Sequence, residues 1–149
     1  MVCAIICFES AFGPLVRDFV RDGAEVIVVT TNNRSYRRSA NSAQHVALGQ
    51  MRAAETGRAV VQASISGISA RIDPTGDVSH TTELFENEVV TSDVVTTTGQ
   101  TPYVRYGDWV VWGSAIALLA AAVYGRLRWS RATIAGRQYR RTARGRIAS

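Results

Sequence analysis

The sequence predicts an α/β domain over residues 1–100, one transmembrane helix over 109–125 and a basic tail over 126–149. Three observations support this division. Apolar runs rich in β-branched residues alternate with stretches whose apolar residues recur at helical spacing, which is typical of an α/β chain. Residues 109–125 contain no charge, and residues 126–149 contain eight arginines and no acid. With 149 residues and 46% apolar content, the chain can form a hydrophobic core.

The first elements are predicted as strand, helix and strand. Residues 2–7 (VCAIIC) form a continuous apolar run, which indicates a strand buried on both faces. A helix is predicted to begin at Pro14, because proline is favoured in the first helical turn, and to end at Gly23. Residues 25–31 (EVIVVTT) are again predicted as a buried strand.

The middle of the domain continues this alternation. After the polar loop NNRSYRRSANS, residues 43–56 are predicted as a helix that Gly57 ends. Four residues are expected on the buried face of this helix: Val46, Ala47, Met51 and Ala54. Residues 59–72 return to strand, and DPTGD over 73–77 is a turn by composition. Residues 78–98 mix strand and loop.

The uncharged segment 109–125 is predicted to span a membrane. Its seventeen residues are at the short end of the range, since about 20 residues cross an average bilayer. A buried core helix is the alternative. Aromatic residues near both ends and arginines concentrated after the segment favour the membrane. The span would lie in the cell (inner) membrane. The positive-inside rule then places the tail in the cytoplasm and the preceding domain on the extracytoplasmic side. Its position near the C-terminus excludes a signal peptide.

The basic charge of the chain belongs to the tail. Residues 1–125 carry nine arginines against twelve acids, so the net charge of +5 comes from 126–149. Basic segments bind nucleic acid by neutralising phosphates, but this tail has only Trp129 and Tyr139 as aromatic residues and no nucleic-acid module. A topology signal that also contacts anionic lipid is the preferred interpretation, and no nucleic-acid partner is predicted.

Cys3 and Cys7 are the two cysteines of the chain. On one extended strand they would lie about 13 Å apart, which is beyond the reach of a disulfide. Neither a disulfide framework nor a CxxC metal site is predicted. Cys7 ends a buried strand and precedes a loop and a helix, a position in which a nucleophile can meet its substrate near backbone N–H groups. A buried structural cysteine is the alternative from the residues alone.

Three segments carry a family resemblance: ICFES over 6–10, VVTTNNRSYRRSANSAQH over 28–45 and QMRAAETGR over 50–58. They resemble the C-terminal half of the nitrilase-like domain of bacterial apolipoprotein N-acyltransferases, within the carbon–nitrogen hydrolase superfamily. The likeness extends from about Val2 to Trp112. It implies the C-terminal half of a nitrilase-like αββα sandwich, followed by the last transmembrane helix of that family.

The family pattern has a nucleophilic Cys followed two residues later by Glu, a loop similar to TNDAWFG…QH, and a helix with RxxE. The matching residues are Cys7, Glu9, Thr31, Asn32, Gln44, His45, Arg52 and Glu55. The departures all lie inside the loop: Asn33 for Asp, Ser35 for Trp, Tyr36 for Phe and Arg37 for Gly. They bear on the preference for acyl donor and lipoprotein rather than on the family.

The resemblance also implies roles. Cys7 would accept a fatty acyl group from a phospholipid as a thioester and pass it to the N-terminal diacylglyceryl cysteine of a lipoprotein. Glu9 would order the site, and the backbone N–H of Phe8 would stabilise the oxyanion. Substrate contacts are expected at Asn32, Tyr36 and His45, although a histidine on a helix more often makes structural hydrogen bonds. No cofactor and no metal are expected.

One part of the family's catalytic set is missing from this sequence. Members of the family use a glutamate base and a lysine that both precede the cysteine, whereas this chain has six residues before Cys7 and no lysine. We therefore expect a fragment of the catalytic domain that is inactive alone. Two alternatives remain: a non-catalytic, membrane-anchored remnant or partner subunit, and an amidase or nitrilase of the same superfamily, against which the membrane segment argues.

Overall fold

The computed structural model describes residues 1–86 and 88–145, and the chain divides after Gly107 into two compact units. The first unit contains five strands: β1 (Val2–Ile6), β2 (Val26–Thr31), β3 (Ala59–Ser64), β4 (Ala70–Ile72) and β5 (Val78–Thr81). It also contains three helices: α1 (Gly13–Arg21), α2 (Asn41–Thr56) and α3 (Pro102–Tyr106). The second unit contains α4 (Trp109–Gly145). The predicted α/β class is confirmed.

The five strands form one mixed sheet in the order in which they occur along the chain. Strands β1, β2 and β3 are parallel, and α1 and α2 provide the crossovers that parallel neighbours require. Strands β3, β4 and β5 are antiparallel. The single strand predicted over 59–72 is therefore wrong, because a turn over 65–69 reverses the chain. In the register of the sheet Ile6 pairs with Thr30 and Thr30 with Ala63, so β1, β2 and β3 end at one edge.

The hydrophobic core lies between one face of this sheet and the helices. Ile5, Ile27 and Val60 on the sheet are fully buried, as is Val16 on α1. Val104 on α3 belongs to the same cluster. Along β1, buried residues on the core face alternate with exposed residues on the opposite face, as the two-residue period of a strand requires.

The prediction that β1 is buried on both faces is wrong for the described residues. Cys3 and Ile5 are buried, but Val2 and Ile6 on the other face are 65% and 67% exposed. An αββα sandwich would cover this second face with another sheet. The apolar character of every position in β1 matches that layered arrangement rather than a sheet with one face in water.

The buried face of α2 also differs from the prediction. Val46 is buried as expected, but Met51 is 52% exposed and Ala47 and Ala54 are exposed. The buried residues recur at helical spacing, and most of them are polar or lack a side chain: Ser42, His45, Val46, Gly49, Arg52, Ala53 and Thr56. Apolar patterning failed here because three of the polar side chains on this face, His45, Arg52 and Thr56, have hydrogen-bonding or ionic partners inside the unit.

The uncharged segment forms the first half of α4. Trp109–Arg126 has a mean hydropathy of 1.4 and is long and apolar enough to cross a membrane, and none of it is buried. The hydroxyl of Ser114 donates to the carbonyl of Val110 at 2.8 Å, so this polar side chain is satisfied within the helix. The helix continues to Gly145 through most of the predicted basic tail, whose last four residues lie outside the described residues.

Arg58 holds the segment that leads into α3 against the rest of the first unit. Its guanidinium is buried, and Nε donates to the carbonyl of Ala24 at 2.8 Å. The other nitrogens donate to the carbonyl of Gly99 and to the hydroxyl of Thr97. Burial lowers the pKa of Arg58, and the carboxylate of Glu25 opposes that shift. Three chain segments therefore meet at one side chain.

Replacing Arg58 with lysine is expected to lower the free energy of unfolding of the first unit by about 2 kcal/mol, because a single ammonium group cannot reach acceptors that a planar fork contacts together. Urea unfolding of the chain in neutral detergent measures the change. Arg105→Lys, at an exposed position, is the matched control and is expected to have little effect. Equal stability of the two variants would contradict this role for Arg58.

Candidate active site

Cys7 lies at the tip of β1, at the edge where the parallel strands end. β1 ends at Ile6, and a short 3₁₀ helix over Cys7–Ala11 connects it to α1. The backbone of Cys7 has φ of 48°, in the left-handed region that residues other than glycine adopt rarely. Conformations of this kind cost energy and concentrate at functional sites. The half-buried Cys7 thus occupies a sharp strand-to-helix turn.

Glu9 closes this turn. Its Oε2 accepts a hydrogen bond from the backbone N–H of Ile6 at 2.7 Å, which joins the turn to the last residue of β1. A carboxylate that accepts from a backbone N–H forms one of the stronger hydrogen bonds in proteins. This contact is the kind of ordering that the sequence predicts for Glu9.

The two cysteines have different environments. Cys3 is buried in the core, and burial, with a smaller contribution from the Glu9 carboxylate, raises the pKa of its thiol. A raised pKa keeps the thiol protonated and therefore poorly nucleophilic. Cys7 is the more accessible of the two, and it lines an open groove. The structure thus separates a structural cysteine from a candidate nucleophile.

His45 holds the Cys7 turn from the side of α2. It is 4% exposed, and its Nε2 lies 3.1 Å from the carbonyl oxygen of Cys7 and 3.2 Å from Oγ of Ser10. The hydroxyl of Ser10 also donates to the Cys7 carbonyl, at 3.0 Å. On the other side of the ring, Nδ1 lies 3.0 Å from the amide group of Asn33. Both ring nitrogens therefore have protein partners, which favours a structural role for His45.

The partners of His45 indicate where its proton lies. A carbonyl oxygen can only accept, so Nε2 must carry the proton to bond with Cys7. On the other side of the ring, Nδ1 faces Oδ1 of Asn33, and the hydroxyl of Thr31 donates to that same oxygen at 2.9 Å. One side-chain oxygen at position 33 therefore connects β2 to His45.

One groove is lined by Cys7 and a second by Phe8, the next residue, and the predicted site residues are divided between them. An open groove of about 670 Å³ at the carboxyl edge of the parallel strands is lined by Cys7, Asn32 and Ile65 among others. A second groove, of about 430 Å³, is lined by Phe8, Tyr36, Asn41, Gln44, His45 and Leu48. The carboxyl ends of parallel strands are where α/β sheets bind ligands. Cys7 and Asn32 line the larger groove, and Phe8, Tyr36 and His45 line the smaller one. Glu9 lines neither groove, because its carboxylate bonds to the backbone of β1.

Asn32 connects the polar loop to the turn between β3 and β4. Its Oδ1 accepts from the backbone N–H of Arg34 at 3.2 Å and from the hydroxyl of Ser66 at 2.9 Å. Its side chain is exposed and lines the groove that contains Cys7. Asn32 is therefore placed to contact a substrate in that groove while it orders the loop.

Several residues of the site were not identified as functional from the sequence. Ser10 ends the ICFES segment but has no role in the family pattern given above, and Asn33 is there only a departure from the family loop. At Gly67, an added Cβ would lie 2.6 Å from the amide nitrogen of Asn33. Close packing against Asn33 therefore requires glycine at position 67, a contact that no local sequence signal reveals.

The RxxE residues of α2 form an ion pair rather than part of the grooves. Nη2 of the buried Arg52 lies 3.2 Å from Oε2 of Glu55. Gly13 at the start of α1 lies against the Arg52 guanidinium, and an added Cβ there would collide with it. The pair thus sets the packing of α2 against α1. Within residues 1–86 and 88–145 no group of three His, Cys, Asp or Glu side chains could hold a metal ion.

Comparison with known proteins shows the family to which this chain belongs. The sequence profile of the carbon-nitrogen hydrolase family matches residues 1–103. This chain therefore belongs to the carbon-nitrogen hydrolase family.

Relatives of the chain are apolipoprotein N-acyltransferases. Those of Gloeobacter violaceus and Geobacter metallireducens are 40% and 34% identical over 126 and 124 residues, which are 85% and 82% of this chain. The chain spans 24% of the length of each. The crystal structure of Saccharomyces cerevisiae Nit3, of the nitrilase superfamily, is 19% identical, with a TM-score of 0.49 over 58% of this chain and 34% of that one. The resemblance to apolipoprotein N-acyltransferases is thus confirmed.

Proposed function

We propose that this chain carries the nucleophile of an apolipoprotein N-acyltransferase. The observation that supports the proposal most directly is the position of Cys7, in a left-handed turn at the end of β1 that Glu9 and His45 hold from two sides. The names of the relatives give the reaction class. The substrates are then a phospholipid as acyl donor and a diacylglyceryl lipoprotein as acceptor.

The reaction has two steps in this proposal. The sulfur of Cys7, after losing its proton to a base, attacks the carbonyl carbon of a phospholipid ester, and the lysophospholipid leaves with a proton as the ester C–O bond breaks. The α-amine of the lipoprotein's N-terminal cysteine then attacks the thioester. An amide bond forms, the C–S bond breaks and the Cys7 thiol is regenerated. Splitting one difficult transfer into two easier steps is the advantage of a covalent intermediate.

Each remaining site residue has a proposed part in these steps. Glu9 keeps the Cys7 turn in place, and the N–H of Phe8 stabilises the oxyanion. Phe8 follows Cys7 in the first turn of the 3₁₀ helix, where backbone N–H groups have no carbonyl partner within the helix. Asn32 contacts substrate in the larger groove, and Tyr36 and His45, which line the smaller groove, do so there.

The base and the lysine of the reaction come, in this proposal, from polypeptide outside these 149 residues, because the sequence contains no lysine. Residues 1–149 alone are then inactive. General-base assistance is worth about 10²–10⁴-fold in rate and oxyanion assistance about 10²–10³-fold, so the loss of both removes measurable turnover.

A chimera tests this function. This chain replaces the matching 126 residues of the Gloeobacter violaceus relative, so that the relative supplies the remainder of its own sequence. We expect the chimera to form an acyl thioester from labelled phospholipid and to transfer it to a lipoprotein peptide, whereas residues 1–149 alone do neither. Intact-protein mass spectrometry with hydroxylamine release detects the thioester. A folded chimera without acylation would contradict the proposal.

A second candidate is a non-catalytic membrane-anchored chain or partner subunit, and the absence of lysine from the sequence favours it. The chimera separates the two, because a chain that has lost catalytic competence leaves Cys7 unacylated even when the relative supplies the other groups. A third, weaker candidate is an amidase or nitrilase of the same family. Release of free fatty acid or ammonia without transfer to the peptide would identify it.

The proposed topology follows from α4 and from the charges beside it. Residues 109–125 cross the cell membrane, residues 1–100 lie outside the cytoplasm, and the basic tail 126–149 lies inside. A periplasmic reporter fused after Ser149 is expected to be inactive and a cytoplasmic reporter active. Substituting glutamine for the tail arginines should weaken this preference. The opposite pattern of reporter activity would contradict the topology.

A further inference from the structure

The loop between β2 and α2 presents three arginines beside the smaller groove. Arg34, Arg37 and Arg38 are exposed, and none of them belongs to an ion pair among the described residues. All three lie within two residues of Tyr36, which lines the groove. A cluster of unpaired guanidinium groups is a ready partner for phosphate, since their N–H groups match phosphate oxygens in pairs.

The loop is ordered by its own hydrogen bonds. The N–H of Tyr36 donates to the carbonyl of Asn33 at 2.9 Å, and the N–H of Ser39 donates to the carbonyl of Tyr36 at 3.1 Å. Arg37 has φ of 51° and ψ of −136°, a backbone conformation that costs energy for a residue with a side chain. Arginine thus occupies a position whose backbone conformation glycine would adopt more easily.

Apolar surface lies next to the arginines. Phe8 lines the groove with Tyr36 and Leu48, and it remains 60% exposed. Its ring packs edge-to-face against Phe12, which is 56% exposed, with the ring centroids 5.8 Å apart. Two neighbouring exposed phenylalanines are costly in water and favour contact with an apolar partner.

We infer that this surface binds a phospholipid whose headgroup carries net negative charge. The phosphate lies on Arg34, Arg37 and Arg38, and an acyl chain lies along the groove against Phe8, Tyr36 and Leu48. Nucleic acid is the less suitable partner, because the apolar groove and the exposed phenylalanine pair match hydrocarbon. The inference rests on the proposed function and deepens it, since it names anionic lipid as the preferred donor beside Cys7.

The test uses the full chain in nanodiscs of phosphatidylcholine that contain a trace of a lipid with a photoreactive acyl chain. Photoreactive phosphatidylglycerol is compared with photoreactive phosphatidylcholine, and mass spectrometry quantifies labelling of the peptides around Phe8 and Leu48. We expect stronger labelling by phosphatidylglycerol. In Arg37→Gln/Arg38→Gln that labelling should fall about 25-fold, because each ion pair between an arginine and the anionic headgroup is expected to contribute about fivefold.

A matched double variant controls for charge. Arg21→Gln/Arg105→Gln removes the same charge from exposed positions elsewhere in the unit and is expected to leave labelling nearly unchanged. Leu48→Ser should reduce labelling by both lipids alike, since it alters the apolar contact only. Equal labelling by the two lipids, or equal losses in the two double variants, would overturn the inference.

Two competitors identify other occupants. Inorganic phosphate at millimolar concentration should displace neither lipid, and displacement would reduce the site to a simple anion site and overturn the inference. Displacement of the photoreactive lipid by an oligonucleotide would also overturn the inference, because it would identify a nucleic-acid site. Labelling requires no acyl transfer, so a chimera without acylation would contradict the proposed function while this result stands. Acylation of Cys7 without preference for phosphatidylglycerol would contradict this inference alone.

Discussion

Replacing Cys7 with serine is expected to abolish thioester formation in the chimera. A hydroxyl group has a much higher pKa than a thiol, so a base arranged to deprotonate a thiol activates it poorly. Loss of effective base assistance alone costs about 10²–10⁴-fold in rate. Mass spectrometry should therefore show no labelled acyl group on the variant after an incubation that acylates the parent completely.

The other cysteine gives the matched control for this experiment. Cys3 is buried on β1, four residues before Cys7, and does not line the groove, so Cys3→Ala removes a thiol without altering the groove. We expect that variant to be acylated as the parent chimera is. Normal acylation of Cys7→Ser, or loss of acylation in a folded Cys3→Ala, would remove Cys7 from the proposed mechanism.

Replacing His45 with alanine is expected to have the second largest effect, because it acts on both stability and the Cys7 turn. The substitution removes the hydrogen bonds to the Cys7 carbonyl, Ser10 and Asn33, all inside the unit. Unpaired buried polar groups cost about 1–3 kcal/mol each, so we expect the free energy of unfolding to fall by about 3 kcal/mol. Alkylation of Cys7 in the folded protein should also change in rate.

Three further variants separate positioning by His45 from simple packing. His45→Gln retains an N–H donor for the Cys7 carbonyl and should partly restore the alkylation rate, whereas His45→Phe fills the volume without a donor and should not. His80→Ala is the control. His80 is exposed, and its Nε2 lies 3.7 Å from Oε1 of Glu88, which is too far for a hydrogen bond. If His45→Phe and the parent chain had the same stability and alkylation rate, hydrogen bonding by His45 would be unimportant.

The residues of the secondary-structure elements could largely be predicted from local patterns. The helix expected from Pro14 to Gly23 is observed over Gly13–Arg21, and the one expected over 43–56 is observed over Asn41–Thr56. Proline at the first turn and glycine after the last are backbone effects, so they operate without tertiary contacts. The hairpin over 59–72 was missed because its short turn, SISGIS, interrupts the apolar pattern too weakly.

Recognition of the site depended on residue identity rather than on periodicity. The spacing of Cys7 and Glu9, with the loop and RxxE residues, identified the family, and the structure shows what several of these residues contact. Arg52 and Glu55 pair with each other, and His45 contacts the turn of Cys7 across 38 residues of sequence. A pattern of matching letters contains no information about which of these residues touch one another.

The sequence alone determined the α/β class, the uncharged helix, the concentration of positive charge in the tail and the cysteine to examine, because these depend on local propensity, hydropathy and composition. Tertiary structure alone decided which side chains are buried and paired. The buried face of α2 is largely polar: Asn33 and Ser10 approach His45 from other segments, and Arg52 pairs with Glu55 within the helix. Glycine at 13 and 67 is required only because Arg52 and Asn33 pack there. Burial of a polar group depends on partners distant in sequence, and only the folded chain brings them together.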